Sequence, residues 1–407
     1  MKIAFIIQRY GPGIVGGSET LCRQVAEHLS PDHQIEILTT CAKNYGTWRN
    51  EYPEGTDIVN GLVVHRFRVE KERNPITFGL FSQLIFRLPH RFRDEEQWII
   101  DQGPFTPSLI QFIKDHKDEY DLFVFFSYRY YPCIFGLPLV IEKSILIPTA
   151  EHEPTLDLAI IQQFFAVTRT VVFLTDEEKD LVCSRINMEG KTYDIIGKGV
   201  EVPPTADGTK FTKKFNITSD FLVYVGRVDR NKNCNQLFEY FLTYKSEFPS
   251  GVKLVIIGES EMKIPKDPDI LFLGFLSEWD KFDGIAASTL LVMPSEFESF
   301  SIAVTEAMAL GKPVLVNGHC AVLKGHCLNS EGGFSYSTYQ EFATYLNRLL
   351  SDRDLQRQMG VRGKTYIRSH YTWDQVRRKY LTLIDTFQKK QFNGFCGQNL
   401  YNTGKKD

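Results

Sequence analysis

Two glutamates, Glu298 and Glu306, stand in the stretch LLVMPSEFESFSIAVTEAMALGKPVLVN over residues 290–317. Glu298 belongs to a loop, and Glu306 comes about a turn and a half into the helix that follows. At a rise of about 1.5 Å per residue they stand roughly 10 Å apart. That is wider than the roughly 5 Å between two carboxylates that share one anomeric centre, and it suits the two ends of one long polar ligand. The helix start between them offers N–H groups and a positive dipole end, a seat for phosphate. The elements around the pair read as strand, loop, helix, strand. The apolar run Leu290–Met293 suits a buried parallel strand, and Pro294 ends it. Ser299 or Ser301 caps a helix over 302–310, Gly311 stops it, and residues 313–316 form the next strand. Such a βαβ unit puts the loop and the helix start at the carboxyl edge of the sheet, where open α/β proteins bind ligands.

Other residues at strand ends suit the same chemistry. Arg227 and Lys232 follow a strand over 221–225 and put two positive charges on a diphosphate, the arginine through a bidentate fork. Gly258 ends a strand over 252–257, and Gly274-Phe275 ends one over 270–273; the two ends can frame a flat base. Near the start, residues 11–16 match G-x-G-x-x-G. A dinucleotide site is disfavoured there: three residues separate the motif from the first strand, Pro12 stiffens the turn, and the strand over 34–40 ends in Thr39-Thr40 without a ribose-binding acid. Gly16 and Gly17 can instead take positive φ and admit a ligand against the backbone. The strand over 144–149 runs into Glu151-His152.

Taken together, Pro294-Ser295, Glu298-x7-Glu306-Ala-Met-Ala, Gly311-x-Pro313-Val314, Gly226-Arg227-x4-Lys232 and Gly16-Gly17-Ser-Glu19 resemble the signature of the retaining family 4 glycosyltransferases. The resemblance spans about residues 2–390 and is strongest over 221–317. It implies an α/β GT-B architecture, two Rossmann-like doubly wound domains facing each other across a cleft. It also implies transfer of a sugar from a nucleotide-diphosphate donor to an acceptor hydroxyl, with retention by front-face attack.

In that scheme Arg227, Lys232 and the N–H groups near Ser301 stabilise the departing diphosphate, without a metal or a further cofactor. Glu306 takes the donor ribose and Glu298 the sugar hydroxyls. The donor site also takes in Gly16, Gly17, Gly258, Gly274, Phe275, Ser299, Phe300, Ser301 and Ile302. Related enzymes carry a His-Asp pair where this chain has Glu151-His152, so either residue could hold the pocket position nearest the reacting face. Two alternatives stay open: a nucleotide-sugar-binding subunit without catalysis, and a GT-B epimerase or phosphorylase.

The organisation fits. A chain of 407 residues holds two domains, divided as 1–197, a linker over 198–208, and 209–372, with a helix over 373–390 crossing back to the first domain and a disordered tail over 391–407. A net charge of −3 argues against nucleic-acid binding. Eight scattered cysteines fit a reducing cytoplasm, and His319-Cys320 with His326-Cys327 read as loop and core residues rather than a zinc site. No apolar run approaches the ~20 residues of a membrane span. Residues 66–93 interleave basic and aromatic side chains. They read either as a packed excursion or as a peripheral membrane contact in which Phe78, Phe81 and Phe86 enter the interface beside Arg87, Arg91 and Arg93. The second reading fits a lipid-linked acceptor; otherwise the acceptor is a soluble carbohydrate.

Overall fold

Short apolar strands alternating with helices build two sheets in a computed structural model that describes residues 1–14 and 16–398, with side chains to residue 389. One unit comprises Met1–Lys198 and the chain from Val376 onward; the other is Gly199–Gln375. The first holds β1 (Lys2–Ile6), β2 (Gln34–Thr40), β3 (Gly55–Val59), β4 (Leu62–Phe67), β5 (Leu122–Phe126), β6 (Ser144–Ile147), β7 (Thr170–Phe173) and β8 (Thr192–Ile195). Their order is β3-β4-β2-β1-β5-β6-β7-β8, and only the edge pair β3–β4 is antiparallel. No apolar alternation announces β3, because Val59 is its one buried residue. The Asn60-Gly61 turn makes it a strand: both residues take positive φ, the geometry that closes a two-residue hairpin.

The second unit holds β9 (Phe221–Val225), β10 (Lys253–Ile257), β11 (Ile270–Gly274), β12 (Leu290–Met293), β13 (Val314–Asn317) and β14 (Gly333–Tyr336). All are parallel, in the order β11-β10-β9-β12-β13-β14. The order reverses between β9 and β12, so the loops leaving these two strands flank a topological switch point. Leu222, Val223, Val255, Leu291, Val292 and Leu315 beneath it are fully buried. At about 1.5–3 kcal/mol for each large aliphatic side chain, they make a rigid floor for those loops.

Several sequence expectations are corrected. The last helix runs Trp373–Gln398, so residues 391–398 of the expected disordered tail are helical; no proline interrupts the period past Lys390, and glycine weakens a helix without ending it. The remainder of that tail, 399–407, lies outside the described residues. The segment 318–325, read as loop, turns into the helix Ala321–Ser330.

Residues 66–93 contain the helix Pro75–Arg87, whose start is fixed by Pro75 and by the Asn74 side chain accepting from the Ile76 and Thr77 N–H groups. Phe78, Phe81 and Phe86 do not face out. They pack against the core, and the Phe78 and Phe86 rings lie 5.6 and 5.3 Å from that of Trp98. Arg66 is buried and donates to the Tyr10 carbonyl, while Arg73 donates to the carbonyls of Tyr45, Gly46 and Gln102.

Glu178 ties two strand ends together. Its buried carboxylate accepts the N–H groups of Ala150, beyond β6, and Leu174, beyond β7, each at 2.6 Å. Burial pushes its pKa up from 4.5 to about 8, against the opposing effect of those two bonds. A carboxyl whose folded pKa is raised binds a proton that the unfolded chain has released. The stability it contributes is therefore full below about pH 4.5 and is lost as pH rises through about 8. Glu178→Gln should remove that slope. It should also cost about 1–3 kcal/mol, because an amide NH₂ then opposes one of the two backbone donors. Denaturant unfolding at about pH 5 and about pH 9 checks both effects.

Candidate active site

The loop after β9 carries Arg227 and Lys232, and Asp229 between them organises both. Its carboxylate accepts from Arg227 Nε and, at 2.7 Å, from the Lys232 backbone N–H. The loop after β12 carries Glu298, whose Oε1 receives Lys232 Nζ at 2.8 Å. The two residues expected to hold the diphosphate and the sugar thus meet directly, 66 positions apart in sequence. Glu306 is buried on the helix Ile302–Ala309, and its Oε1 receives Lys281 Nζ at 3.0 Å. Lys281 escaped sequence reading because it stands in the ordinary helix Glu278–Ala287, with no motif around it. Burial alone would lower its pKa, but the Glu306 and Glu278 carboxylates outweigh burial and hold it above the usual lysine value.

Both helices that start at the switch point begin without a side-chain cap. Asn233 precedes Cys234–Glu247 at φ 56°, and Ser301 precedes Ile302–Ala309 at φ 64°. The expected Ser301 cap is not made: its hydroxyl is buried without a hydrogen-bond partner. Left-handed backbone at a residue other than glycine costs free energy and clusters where function requires it. Here it leaves two helix N-termini that no side chain caps, beside Arg227 and Lys232; in the first of them the Cys234 N–H donates to the Asp229 carbonyl and the Gln236 N–H to the Asn233 carbonyl.

Other expected donor-site residues lie on loops and strand ends of the same unit. Gly258 has φ 145°, and a Cβ there would lie 1.9 Å from the Gly226 carbonyl oxygen, so its smallness lets the loops after β10 and β9 touch. The Gly258 N–H donates to the Gly274 carbonyl at 2.8 Å, which brings those two candidates together. Phe275, next to Gly274, is exposed. Ser299 is partly exposed, whereas the Phe300 side chain is buried and only its backbone is left to meet a ligand.

His326 holds Phe300 from below. The buried imidazole lies with Nε2 2.8 Å from the Phe300 carbonyl and Nδ1 3.2 Å from the Tyr366 hydroxyl, so the Nε2–H donates to the carbonyl. Burial drives its pKa down to about 4. A histidine whose folded pKa is depressed stabilises the fold fully above its unfolded value of about 6.5, and that stability is lost as pH falls toward about 4. The span corresponds to about 3 kcal/mol. His326→Phe should flatten the decline between those limits and should weaken donor binding through the loosened 298–301 loop. Unfolding titrations together with a donor KM measurement check this.

In the first unit Gly16 and Gly17 do not use positive φ as expected. Gly16 is extended at φ −173°, and Gly17 begins the helix Gly17–Leu29. Gly16 is required by space: a Cβ would lie 2.1 Å from the Glu19 carboxylate, which Arg9, Gln8 and Ser18 all bond. Beyond Gly17 the space is open.

His152 is exposed, with Nε2 2.9 Å from Arg185 Nη2. A guanidinium only donates, so His152 Nε2 accepts and its proton sits on Nδ1. Glu151 is partly buried, and its carbonyl accepts from the Glu153 N–H at 2.8 Å. The acid of this segment that side chains hold in place is Glu153, which receives the Tyr128 hydroxyl at 2.8 Å and the Arg129 guanidinium. The sequence E-H-E offered that third residue, but nothing in it distinguishes a packed acid from a solvated one.

Among the described residues no group of three or more His, Cys, Asp or Glu could hold a metal ion, and no helix is long and apolar enough to cross a membrane. Residues 207–366 match the family model described as glycosyl transferases group 1. A glycosyltransferase 1 domain-containing protein of Xenopus tropicalis is 31% identical over 239 residues, covering 54% of this chain and 68% of that protein. Among solved structures, sucrose-phosphate synthase from Thermosynechococcus elongatus has a TM-score of 0.72 at 15% identity, over 96% of this chain and 99% of that one. Anabaena HepE in complex with UDP and glucose has a TM-score of 0.67 at 16% identity, over 95% of this chain and 100% of that one. Those two likenesses establish a GT-B fold, with which the two mainly parallel sheets agree. With the family model matched across the unit that carries Arg227, Lys232 and both glutamates, this chain belongs to the group 1 glycosyltransferases.

Proposed function

We propose that the protein transfers a sugar from a nucleotide-diphosphate donor to an acceptor hydroxyl with retention of anomeric configuration. The observation that carries this reading is the switch point itself. Arg227, Lys232 and two helix starts without side-chain caps gather at the β9 and β12 ends. An anion fits there, and the bond to be broken is the anomeric C–O bond against a departing diphosphate. Arg227 and Lys232 stabilise the charge that develops on that leaving group. Glu306 accepts from the donor ribose and Glu298 from the sugar hydroxyls, each with a lysine that the donor must displace or share. Retention rests on the family 4 motif pattern, and UDP-sugars come first among donors because Anabaena HepE was solved with UDP and glucose. The acceptor is a carbohydrate or lipid-linked hydroxyl used in polysaccharide or glycolipid assembly, met in the cytoplasm or at the inner face of the membrane.

A thermal-shift panel of nucleotide sugars tests the donor. A ligand at about a hundred times its Kd adds about 2.7 kcal/mol of stability. Turnover with the stabilising donor separates a transferase from a binding subunit, and the anomeric proton coupling of the product reports retention or inversion. A panel in which no nucleotide sugar stabilises the protein would refute the reading.

A further inference from the structure

The helix Pro75–Arg87 leaves a row of large apolar side chains in water. Ile76, Leu80, Leu84 and Leu88 recur every fourth residue and are 76%, 60%, 54% and 54% exposed. Spacing of four places them one above another along a single face. Packing does not account for them, because the opposite side of the helix already supplies the core contacts through Phe78, Phe81, Ile85 and Phe86. A hollow of about 190 Å³ opens beside the row, walled mainly by Phe81, Leu84, Ile85, Leu88 and Pro89, with His90 and Asp94 at one side. Single exposed leucines are ordinary, but a continuous row with an apolar hollow beside it marks a surface that something covers.

Charge indicates what covers it. From Asn74 to Arg93 there is no acidic residue, while Arg87, Arg91 and Arg93 are all exposed. Arg87 falls on the same face, three residues after Leu84 and seven after Leu80. Arg91 and Arg93 follow in the turn into the helix Phe92–Gln102, with Phe92 between them 38% exposed. None of the three arginines makes an ion pair among the described residues. Of the three acids that come next, Asp94 accepts from the Arg91 backbone N–H at 2.9 Å and buried Glu95 holds His90 and the Ile160 N–H, which leaves Glu96, partly exposed, as the one acid beside the arginines with no such use among the described residues.

We propose that this face is a peripheral docking site for an anionic lipid bilayer. Leu80, Leu84 and Leu88 would enter the interface, and Arg87, Arg91 and Arg93 would meet the headgroups. An in-plane helix with one apolar face and a cationic border has the chemistry for that. The positive border selects acidic lipid over a second copy of this chain, whose identical face would bring arginine to arginine. The proposal goes beyond the proposed transfer reaction and does not depend on it.

The test is co-sedimentation of the whole protein with phosphatidylcholine vesicles, with and without phosphatidylglycerol. Binding should appear with phosphatidylglycerol, fall with added salt, and weaken about 150-fold when Arg87, Arg91 and Arg93 all become glutamine, from about 1 kcal/mol for each arginine. The double variant Leu80→Gln, Leu84→Gln changes only exposed side chains, so it should keep the parent melting temperature while losing vesicle binding. Three results would overturn the proposal. Wild type could ignore anionic vesicles at low salt; the double leucine variant could bind as wild type does; or light scattering could find a dimer that the leucine variant abolishes, with vesicles ignored. Nucleotide-sugar thermal shifts on the same preparations separate this outcome from that of the transfer reading: a variant that leaves vesicles but keeps its donor shift tells against neither.

Discussion

Arg227→Ala is expected to lower kcat by about 10²- to 10³-fold, the cost of removing one preorganised charge stabiliser from a leaving group. Asp229 accepts from Arg227 Nε, so the guanidinium is oriented before the donor arrives and no reorganisation is needed as charge develops. Arg227→Lys keeps a positive charge but loses both the fork and the Asp229 contact, and should recover only part of the rate. Because the loss concerns the departing diphosphate, kcat should fall further than donor KM rises. Steady-state kinetics on both variants, with and without EDTA, checks this. An unchanged kcat in Arg227→Ala, or a rate that EDTA abolishes and Mg²⁺ restores, would overturn the arginine–lysine clamp.

The paired glutamates should separate into two phenotypes. Glu306→Gln should weaken the bare nucleoside diphosphate and the intact donor alike, by about 10- to 100-fold, since a charge-assisted hydrogen bond is worth about 1.5–3 kcal/mol. It also weakens the partnership of Lys281, whose raised pKa depends on Glu306 and Glu278 together. Glu298→Gln should behave differently, because Glu298 holds Lys232. Releasing that lysine leaves nucleoside-diphosphate affinity intact or raised, while affinity for the sugar-bearing donor and turnover both fall. Calorimetry with nucleoside diphosphate, alongside kinetics with the donor, distinguishes the two. Equal losses of nucleoside-diphosphate affinity in both mutants would show the roles to be wrongly divided.

The segment 66–93 shows where a linear pattern stops being informative. Its composition displayed basic and aromatic residues together, yet the aromatics turned inward and two of the arginines, Arg66 and Arg73, became clamps on backbone carbonyls. Which face of an amphipathic helix is the apolar one depends on where the core lies. When both faces carry apolar residues, as in PITFGLFSQLIFR, periodicity cannot rank them. The surface left over, Ile76 to Leu88, is defined by Trp98 and the packing around it.

What the sequence by itself determined is the strand-loop-helix grammar of the second unit and the residues at its carboxyl edge. Pro294, Gly311 and the apolar runs punctuate the chain locally, and the types of Arg227, Lys232, Glu298 and Glu306 name their chemistry without neighbours. Tertiary structure alone decided the pairings. Lys232 with Glu298, Lys281 with Glu306, His326 with Phe300, and Glu178 with Ala150 join elements that the fold, not the chain order, brings together. The reason is physical: a charge or a donor is an intrinsic property of a side chain, whereas its partner, its burial and hence its pKa arise only when distant strands share an edge.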